Sequence, residues 1–160
     1  MYYTMTAGHE FDEVLRPFCL SQLEEAARSE FQFFSHETQR WIVPSNVRFE
    51  FRDLYNISDK LLVLSRKAWD AVAPIIEHDE VFVIPLELSY MGEFRRYYIV
   101  IPKRLDCVAQ DGSIAARFVG RYHIFRTNGN DSTSVFVTDE VKNRLYAFGQ
   151  IILKECNYGV

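Results

Sequence analysis

The chain has 160 residues, of which 48% are hydrophobic and 15% aromatic, and its formal net charge is −4. A length of about 100–200 residues is typical of one domain, and this composition can fill a core without disulfides or a structural metal. It excludes a disordered or fibrous chain and gives little support to a nucleic-acid-binding face. We expect a single globular domain over residues 1–160.

The first 50 residues have the least regular pattern, and we treat them as an N-terminal lobe. Ser21 and Glu24 have the spacing of a capping box, which predicts a short helix over about residues 23–31. Apolar and alternating runs predict strands over residues 41–43 and 47–51.

A strand followed by an amphipathic helix is predicted after residue 60. The apolar run 61–64 leads into Ser65, a good N-cap residue for a helix with an apolar face. Residues 81–88 are apolar almost throughout, which is typical of a strand buried on both faces, although Pro85 favours an edge or a bulge. Further strands are predicted over residues 97–101, 105–109 and 122–126.

The same order of elements returns near the C-terminus. Strand 135–137 precedes Thr138, the predicted N-cap of another helix, and strand 151–153 follows that helix. Residues 62–65 and 135–138 lie at a constant offset of 73, which leaves open two related strand-helix-strand units. A chance likeness between short strand-to-helix joints is the simpler interpretation. The sequence predicts an α+β fold with a strand-rich, mostly antiparallel sheet and about three helices.

We find no sequence pattern of a catalytic or metal site. A nucleophile elbow, a phosphate loop, a dinucleotide fingerprint and a zinc-protease motif are all absent. The cysteines, Cys19, Cys107 and Cys156, are too far apart for a zinc-binding pair. We therefore expect no catalytic residue, no cofactor and no metal.

The histidines leave an enzymatic alternative open. His78, beside Asp79 and Glu80, is the best acid–base candidate, and His123 lies on a predicted strand. Solvated surface residues are the simpler interpretation, because neighbours in a turn or strand point in different directions. A small enzyme with a dispersed site would need a concave pocket that holds two or more of these groups within hydrogen-bonding reach.

The sequence also bears on location. No apolar stretch approaches the roughly 20 residues of a membrane span, and the first residues lack a secretory signal. We expect a cytoplasmic protein that binds neither membranes nor nucleic acid. The aromatic residues exceed what a minimal core requires, so some are candidates for contact with another protein, although core packing is the simpler interpretation for most of them.

Residues 54–160 resemble a bacterial protein family. The similarity lies in strand and cap signatures, namely Leu54-Tyr55 with Asp59, 62–69, 85–88, 97–100, 105–108 and 135–142 (Val-Phe-Val-Thr-Asp-Glu-Val-Lys). The family is that of the immunity proteins of bacterial polymorphic-toxin systems, formerly described as a domain of unknown function. The resemblance implies a non-enzymatic cytoplasmic protein that binds and neutralises a cognate toxin domain. The resemblance implies no catalytic residue in this chain.

The predicted contact surface combines acidic and aromatic groups. Glu77, Asp79 and Glu80 belong to one turn, and Tyr90 follows the next predicted strand. Carboxylates suit the basic groups of a toxin, and aromatic side chains often anchor interfaces. We predict that these four residues contact the toxin. An oligomeric scaffold that self-associates through exposed aromatic residues is a further alternative.

Overall fold

The computed structural model describes residues 2–7, 38–46, 48–57, 61–77, 79–105, 120–127, 135–149 and 151–156. These residues form an α+β fold, rich in strands, with two five-stranded sheets and two α-helices. The strands are β1 (Tyr2–Ala7), β2 (Gln39–Val43), β3 (Leu54–Ile57), β4 (Leu61–Ser65), β5 (Val81–Tyr90), β6 (Glu93–Pro102), β7 (Arg104–Leu105), β8 (Ile124–Thr127), β9 (Val135–Thr138) and β10 (Ile151–Cys156). The helices are α1 (Arg66–Val72) and α2 (Asp139–Leu145), and each continues into a 3₁₀ turn, Ala73–Ile75 and Tyr146–Phe148.

The central sheet has the strand order β2-β5-β6-β4-β3. One face of its strand β5 is buried from Phe82 to Leu88, whereas the other face is buried at Val81 and only half-buried beyond it. The predicted burial on both faces therefore holds only at the start of the strand. Leu86 and Leu88 belong to one apolar cluster, whereas Val81 belongs to the cluster on the other face. Pro85 lies one residue before β2 begins to pair with β5 at Leu86. At Pro85 the strand therefore has a described neighbour on one side only, as proline prefers.

The terminal sheet has the strand order β10-β1-β9-β8-β7. Both sheets are mixed, because β2 pairs parallel to β5 and β7 pairs parallel to β8, whereas the other described pairs are antiparallel. The expectation of about three helices is slightly off, since the described residues contain two α-helices. The helix predicted over 23–31 lies outside the described residues. None of the described helices has the length and apolarity that a membrane span requires.

The two helices contact each other, and each packs on its own sheet. Helix α1 packs on β4 and β6, and α2 packs on β9 and β1. Ala68 and Val72 of α1 belong to one buried cluster together with Val141 and Leu145 of α2 and apolar residues of both sheets. Because this cluster spans both sheets, one continuous apolar core joins them.

The two halves correspond in their strand pairing. The β3–β4 hairpin, α1 and β5 match the β8–β9 hairpin, α2 and β10, and the helices lie 73 residues apart. In the central sheet β6 lies between β4 and β5, and in the terminal sheet β1 lies between β9 and β10. The registers agree, because Ser65 pairs with Tyr97 and Thr138 pairs with Tyr2. Each half is therefore the same four-stranded unit. The strand that lies between the other strands, β6 in the central sheet and β1 in the terminal sheet, comes from a different part of the chain in each unit, and we call it the third strand.

Backbone hydrogen bonds repeat in both units. The Ser65 N–H donates to the Asp53 carbonyl at 2.8 Å, and the Thr138 N–H donates to the His123 carbonyl at 3.0 Å. Likewise, the Tyr97 hydroxyl donates to the Arg52 carbonyl at 2.6 Å, and the Tyr2 hydroxyl donates to the Tyr122 carbonyl at 3.2 Å. The correspondence thus extends from strand order to single hydrogen bonds.

Candidate functional site

The acidic turn is divided between the surface and the interior. Glu77 and Asp79 are exposed, but Glu80 is only 1% exposed. The Glu80 carboxylate accepts hydrogen bonds from the Glu77 N–H at 2.7 Å and from the His123 N–H, and the His123 Nδ1 atom lies 3.2 Å from Glu80 Oε2. Glu80 therefore ties the turn to the residues before β8, and its carboxylate is occupied inside the fold. His78 lies outside the described residues.

Tyr90 lies far from the acidic turn. A strand rises about 3.3 Å per residue, so the end of β5 at Tyr90 is roughly 30 Å from its start beside Glu80. The Tyr90 ring packs against Phe49, with ring centroids 5.4 Å apart. The structure therefore does not bring Tyr90 together with Glu77 and Asp79, and the four predicted contact residues do not form one surface.

The acid–base pair of the enzymatic alternative is only partly assembled. His123 and Glu80 lie within hydrogen-bonding reach. However, neither of the two cavities described below is lined by either residue. In the part of the chain that the structure describes, no group of three or more His, Cys, Asp or Glu side chains could hold a metal ion.

The hairpin between β5 and β6 has an unusual turn. Its two central residues, Met91 and Gly92, have φ angles of 48° and 83°. Positive φ at both positions is the requirement of a type I′ turn, which favours Asn, Asp or Gly there. Met91 is instead a large apolar residue, 74% exposed, in the left-handed region that L side chains rarely adopt. The turn therefore presents a methionine to solvent at a cost in backbone strain.

Two more exposed apolar side chains lie next to this turn. Ile42 pairs with Ser89 and Ser89 pairs with Phe94, so the three side chains share one face of the central sheet. Ile42 is 81% exposed and Phe94 is 66% exposed. We call Ile42, Ser89, Met91 and Phe94 the hairpin tip. Exposed apolar side chains that cluster in this way are typical of a contact surface for another protein.

A cavity opens beside the same hairpin. Strand β4 ends at Ser65, opposite Tyr97, whereas β6 extends on to Glu93. The space beside this extension is a cavity of about 420 Å³. Four basic side chains line it, and we call it the cationic cavity; they are Arg66, Lys67, Arg95 and Arg96. The strand pairing therefore brings together two pairs of basic residues that are distant in the sequence.

The remaining wall of the cationic cavity is held by hydrogen bonds. Asp53 and Ser65 both line it. The Ser65 hydroxyl donates to Asp53 Oδ1 at 2.6 Å and accepts from the Ala68 N–H at 3.2 Å. The prediction that Ser65 caps α1 is confirmed. This serine is a structural donor and cap, and its only described carboxylate partner is Asp53.

Two buried tyrosines fasten the neighbouring segment 50–53. The Tyr97 hydroxyl donates to the Arg52 carbonyl, and the Tyr55 hydroxyl donates to the Glu50 carbonyl at 2.5 Å and accepts from the Arg52 N–H at 2.9 Å. Burial raises the pKa of Tyr55 to about 12 and also raises the pKa of Tyr97. Both hydroxyls therefore stay protonated and keep donating. A second cavity, of about 490 Å³, lies on this segment against Phe148 and Gly149.

The predicted cap at Thr138 is not formed. Thr138 occupies the N-cap position of α2, with Asp139 and Glu140 in the first turn, but its hydroxyl makes no capping hydrogen bond. Its Oγ1 atom is buried and has no hydrogen-bond partner among the described residues. At the matching position of the central unit, Asp53 holds the Ser65 hydroxyl, whereas His123 turns its ring to Glu80.

The hairpin tip and the cationic cavity were not predicted from the sequence. The available signal for the cavity is the pair of dibasic steps, Arg66-Lys67 and Arg95-Arg96. The pairing of Ser65 with Tyr97 places one step opposite the other. For the tip, the signal is a strand turn that carries methionine where type I′ turns prefer asparagine.

Compared with protein-family models and with curated proteins, the chain gives no match. The interpretation of its function therefore depends on the geometry of the hairpin tip and the cationic cavity.

Proposed function

We propose that this chain is an immunity protein that binds and neutralises a cognate toxin domain, and that the hairpin tip is its contact surface. The resemblance of residues 54–160 supports the partner class. The exposed apolar cluster supports the contact surface, since such clusters mark sites of protein association. On this proposal the chain acts as a physical cover for the toxin and needs no cofactor.

The backbone conformation and exposure of Met91 are the main support for the proposal. A non-glycine residue at a φ of 48° costs on the order of 1 kcal/mol. A stable fold gains nothing from placing an exposed methionine there. A binding surface does gain, because methionine is flexible and polarisable and adapts to the shape of a partner. Strain of this kind is characteristic of functional positions.

The hairpin provides a firm base for such a contact. Strands β5 and β6 each have ten residues and pair along their whole length. At the neighbouring row of the sheet, Arg40 forms an ion pair with Glu87 at 3.1 Å. An apolar centre beside charged residues is the usual arrangement of a protein interface. The hairpin tip therefore has both the anchors and the polar rim that association requires.

Co-expression with the product of the neighbouring open reading frame tests the proposal. We expect the two proteins to co-purify and the chain to rescue cell growth from a toxic neighbour. Phe94→Ser should weaken both effects, because it removes an exposed anchor. Tyr146→Ser is the matched control, since Tyr146 is 68% exposed and lies outside the hairpin tip. This control should co-purify and rescue like the wild type.

Two results would contradict the proposal. One is a harmless neighbour that does not bind the chain. The other is full rescue by Phe94→Ser together with loss of rescue by Tyr146→Ser. If the pure chain instead forms a stable oligomer through Ile42 and Phe94, the scaffold alternative gains support.

A further inference from the structure

We infer that the cationic cavity receives an acidic segment of the protein partner, an inference that rests on the proposed function. The charges of the cavity support this inference. Four basic side chains line the cavity, and the one carboxylate in its lining, Asp53, already accepts a hydrogen bond from Ser65. The chain as a whole carries a net charge of −4, so this local excess of positive charge is opposite in sign to the whole molecule.

The basic side chains of the cavity are only partly neutralised. Arg95 pairs with Glu93 at 2.8 Å, and Arg66 approaches Asp70 at 3.9 Å on an exposed face of α1. Lys67 and Arg96 form no ion pair within the described ranges. Exposed cations held close together repel one another, and a bound anion relieves this repulsion.

The matching part of the terminal unit shows that the fold does not require these charges. Arg66 and Lys67 begin α1, and the residues that begin α2 are Asp139 and Glu140. The two joints have the same strand pairing and opposite charge. The basic residues are therefore a property of the central unit's surface and not of the strand-to-helix joint.

The cavity continues into the hairpin tip. Arg96 is opposite Glu87, and two residues away on the same face Phe94 is opposite Ser89. A partner that covers Phe94 and Ile42 would therefore lie next to Arg96. The tip supplies apolar anchors, and the cavity supplies complementary charge for acidic groups of the same partner.

The exposure of the cations favours a protein segment over a small anion. All four basic residues are exposed, whereas small-molecule sites enclose most of the ligand and aim fixed polar groups at it. The hydroxyl groups that line this cavity, those of Ser65 and Tyr97, are already bonded to Asp53 and Arg52. Exposed cations around an open cavity instead attract and orient an oppositely charged protein surface.

A peptide titration tests the inference without knowledge of the partner. The probe is a fluorescein-labelled hexaglutamate peptide, and its anisotropy is measured against the full chain at low salt. We expect binding that weakens about tenfold in Lys67→Glu and in Arg96→Glu, the loss of roughly one close ion pair. Arg96→Lys should retain most of the affinity. Arg121→Glu changes net charge equally at an exposed site outside the cavity and should change affinity less than about twofold.

Three outcomes would overturn the inference. The first is no binding of the peptide, and the second is an equal loss of affinity in Arg121→Glu. The third is displacement of the peptide by inorganic triphosphate at much lower concentration than by unlabelled peptide, which would identify a phosphate site. Circular dichroism should show that each variant is folded, because every substituted side chain is exposed.

The co-expression assay separates this inference from the proposed function. If Lys67→Glu and Arg96→Glu rescue growth as well as the wild type while Phe94→Ser does not, the inference fails and the proposed function stands. If the charge reversals and Phe94→Ser all abolish rescue while Arg121→Glu retains it, both are supported.

Discussion

At the scale of single residues, Glu80 is a structural acceptor. Its carboxylate accepts from two backbone N–H groups, those of Glu77 and His123. Glu80→Gln leaves one oxygen for these two donors, so one of the two N–H groups loses its partner. We expect the free energy of unfolding to fall by about 1–3 kcal/mol, measured by urea denaturation.

Asp79→Asn is the control for this substitution. Asp79 is adjacent and exposed, and the same change of carboxylate to amide there should alter stability by less than about 0.5 kcal/mol. Equal effects of the two substitutions would show that Glu80 is not held as described.

Ser65 and Thr138 occupy matching positions but differ in what their hydroxyls do. Ser65→Ala removes a cap and the hydrogen bond to Asp53, so we expect a loss of about 1–2 kcal/mol. Thr138→Val removes a buried hydroxyl that has no described partner and keeps the shape of the side chain. We expect unchanged or higher stability in urea denaturation. A large loss in Thr138→Val would mean that its hydroxyl does make a stabilising contact.

Residue roles could be predicted from the sequence only where the partners are local. The cap of Ser65 follows from its position between an apolar strand and an amphipathic helix. Glu80 is different, because the His123 N–H that it accepts from is 43 residues away. In the sequence it stands in an acidic turn, which is typical of solvated residues. Its burial therefore had no local signal.

At the scale of elements, a substitution in the β5–β6 turn tests whether backbone strain and partner binding are linked. Met91→Asn places a residue suited to the left-handed region at φ 48°. We expect the free energy of unfolding to rise by about 0.5–1 kcal/mol, together with weaker co-purification of the partner. Urea denaturation and the co-expression assay measure the two effects. Stabilisation with unchanged partner binding would exclude Met91 from the contact surface.

The tyrosines that hold segment 50–53 predict a dependence of stability on pH. Burial raises the pKa of Tyr55 from 10.0 to about 12, so the folded state holds this proton more tightly than the unfolded state. The resulting stability is complete below about pH 10 and is lost as the pH rises towards about 12. Tyr55→Phe should therefore be less stable than the wild type near neutral pH, and the difference should shrink across this interval.

A comparison of variants is needed because other groups, among them Arg126, titrate in the same pH range as Tyr55. Burial lowers the pKa of Arg126 to about 10, which changes stability in the opposite direction as the pH rises. Arg126 is present in both the wild type and Tyr55→Phe, so the difference between them removes its contribution and leaves that of Tyr55 together with Tyr97, whose raised pKa depends in part on Tyr55. Tyr146→Phe, at an exposed site, should follow the wild type. A constant difference between Tyr55→Phe and the wild type would contradict the assigned role of Tyr55.

The elements also show where local pattern misleads. Residues 47–51 alternate apolar and charged side chains, which predicts a strand, but the described residues 48–51 are not in one. Phe49 and Phe51 instead pack against the apolar face of the central sheet. An extended segment that lies across a sheet buries alternate side chains just as a paired strand does. Periodicity alone therefore could not distinguish the two.

At the scale of the whole molecule, the two units explain why the repeat is only half visible in the sequence. The joints at Ser65 and Thr138 share one offset, so a search along the chain detects them. The third strand breaks this offset, because Tyr97-Tyr98 of β6 matches Tyr2-Tyr3 of β1 in register. From the central unit to the terminal unit the joint moves forward along the chain, from Ser65 to Thr138, whereas the third strand moves backward, from Tyr97 to Tyr2. No fixed period therefore relates the two units. Only the pairing shows that both sheets contain the same unit.

The assembled surface likewise depends on pairing between distant segments. The hairpin tip joins Ile42 to Phe94, and the cationic cavity joins Arg66 to Arg96. None of these residues is distinctive in the sequence on its own. The acidic turn and Tyr90 were more noticeable in the sequence, yet β5 separates them by its full length.

Hydrogen–deuterium exchange on the complex with the co-purified partner tests the contact surface most directly. We predict slower exchange on binding at the turn and strand residues 91–96 and at residues 65–67, with the acidic turn around Glu77 and Asp79 unchanged. Slower exchange confined to the acidic turn, with the hairpin tip unchanged, would contradict the account.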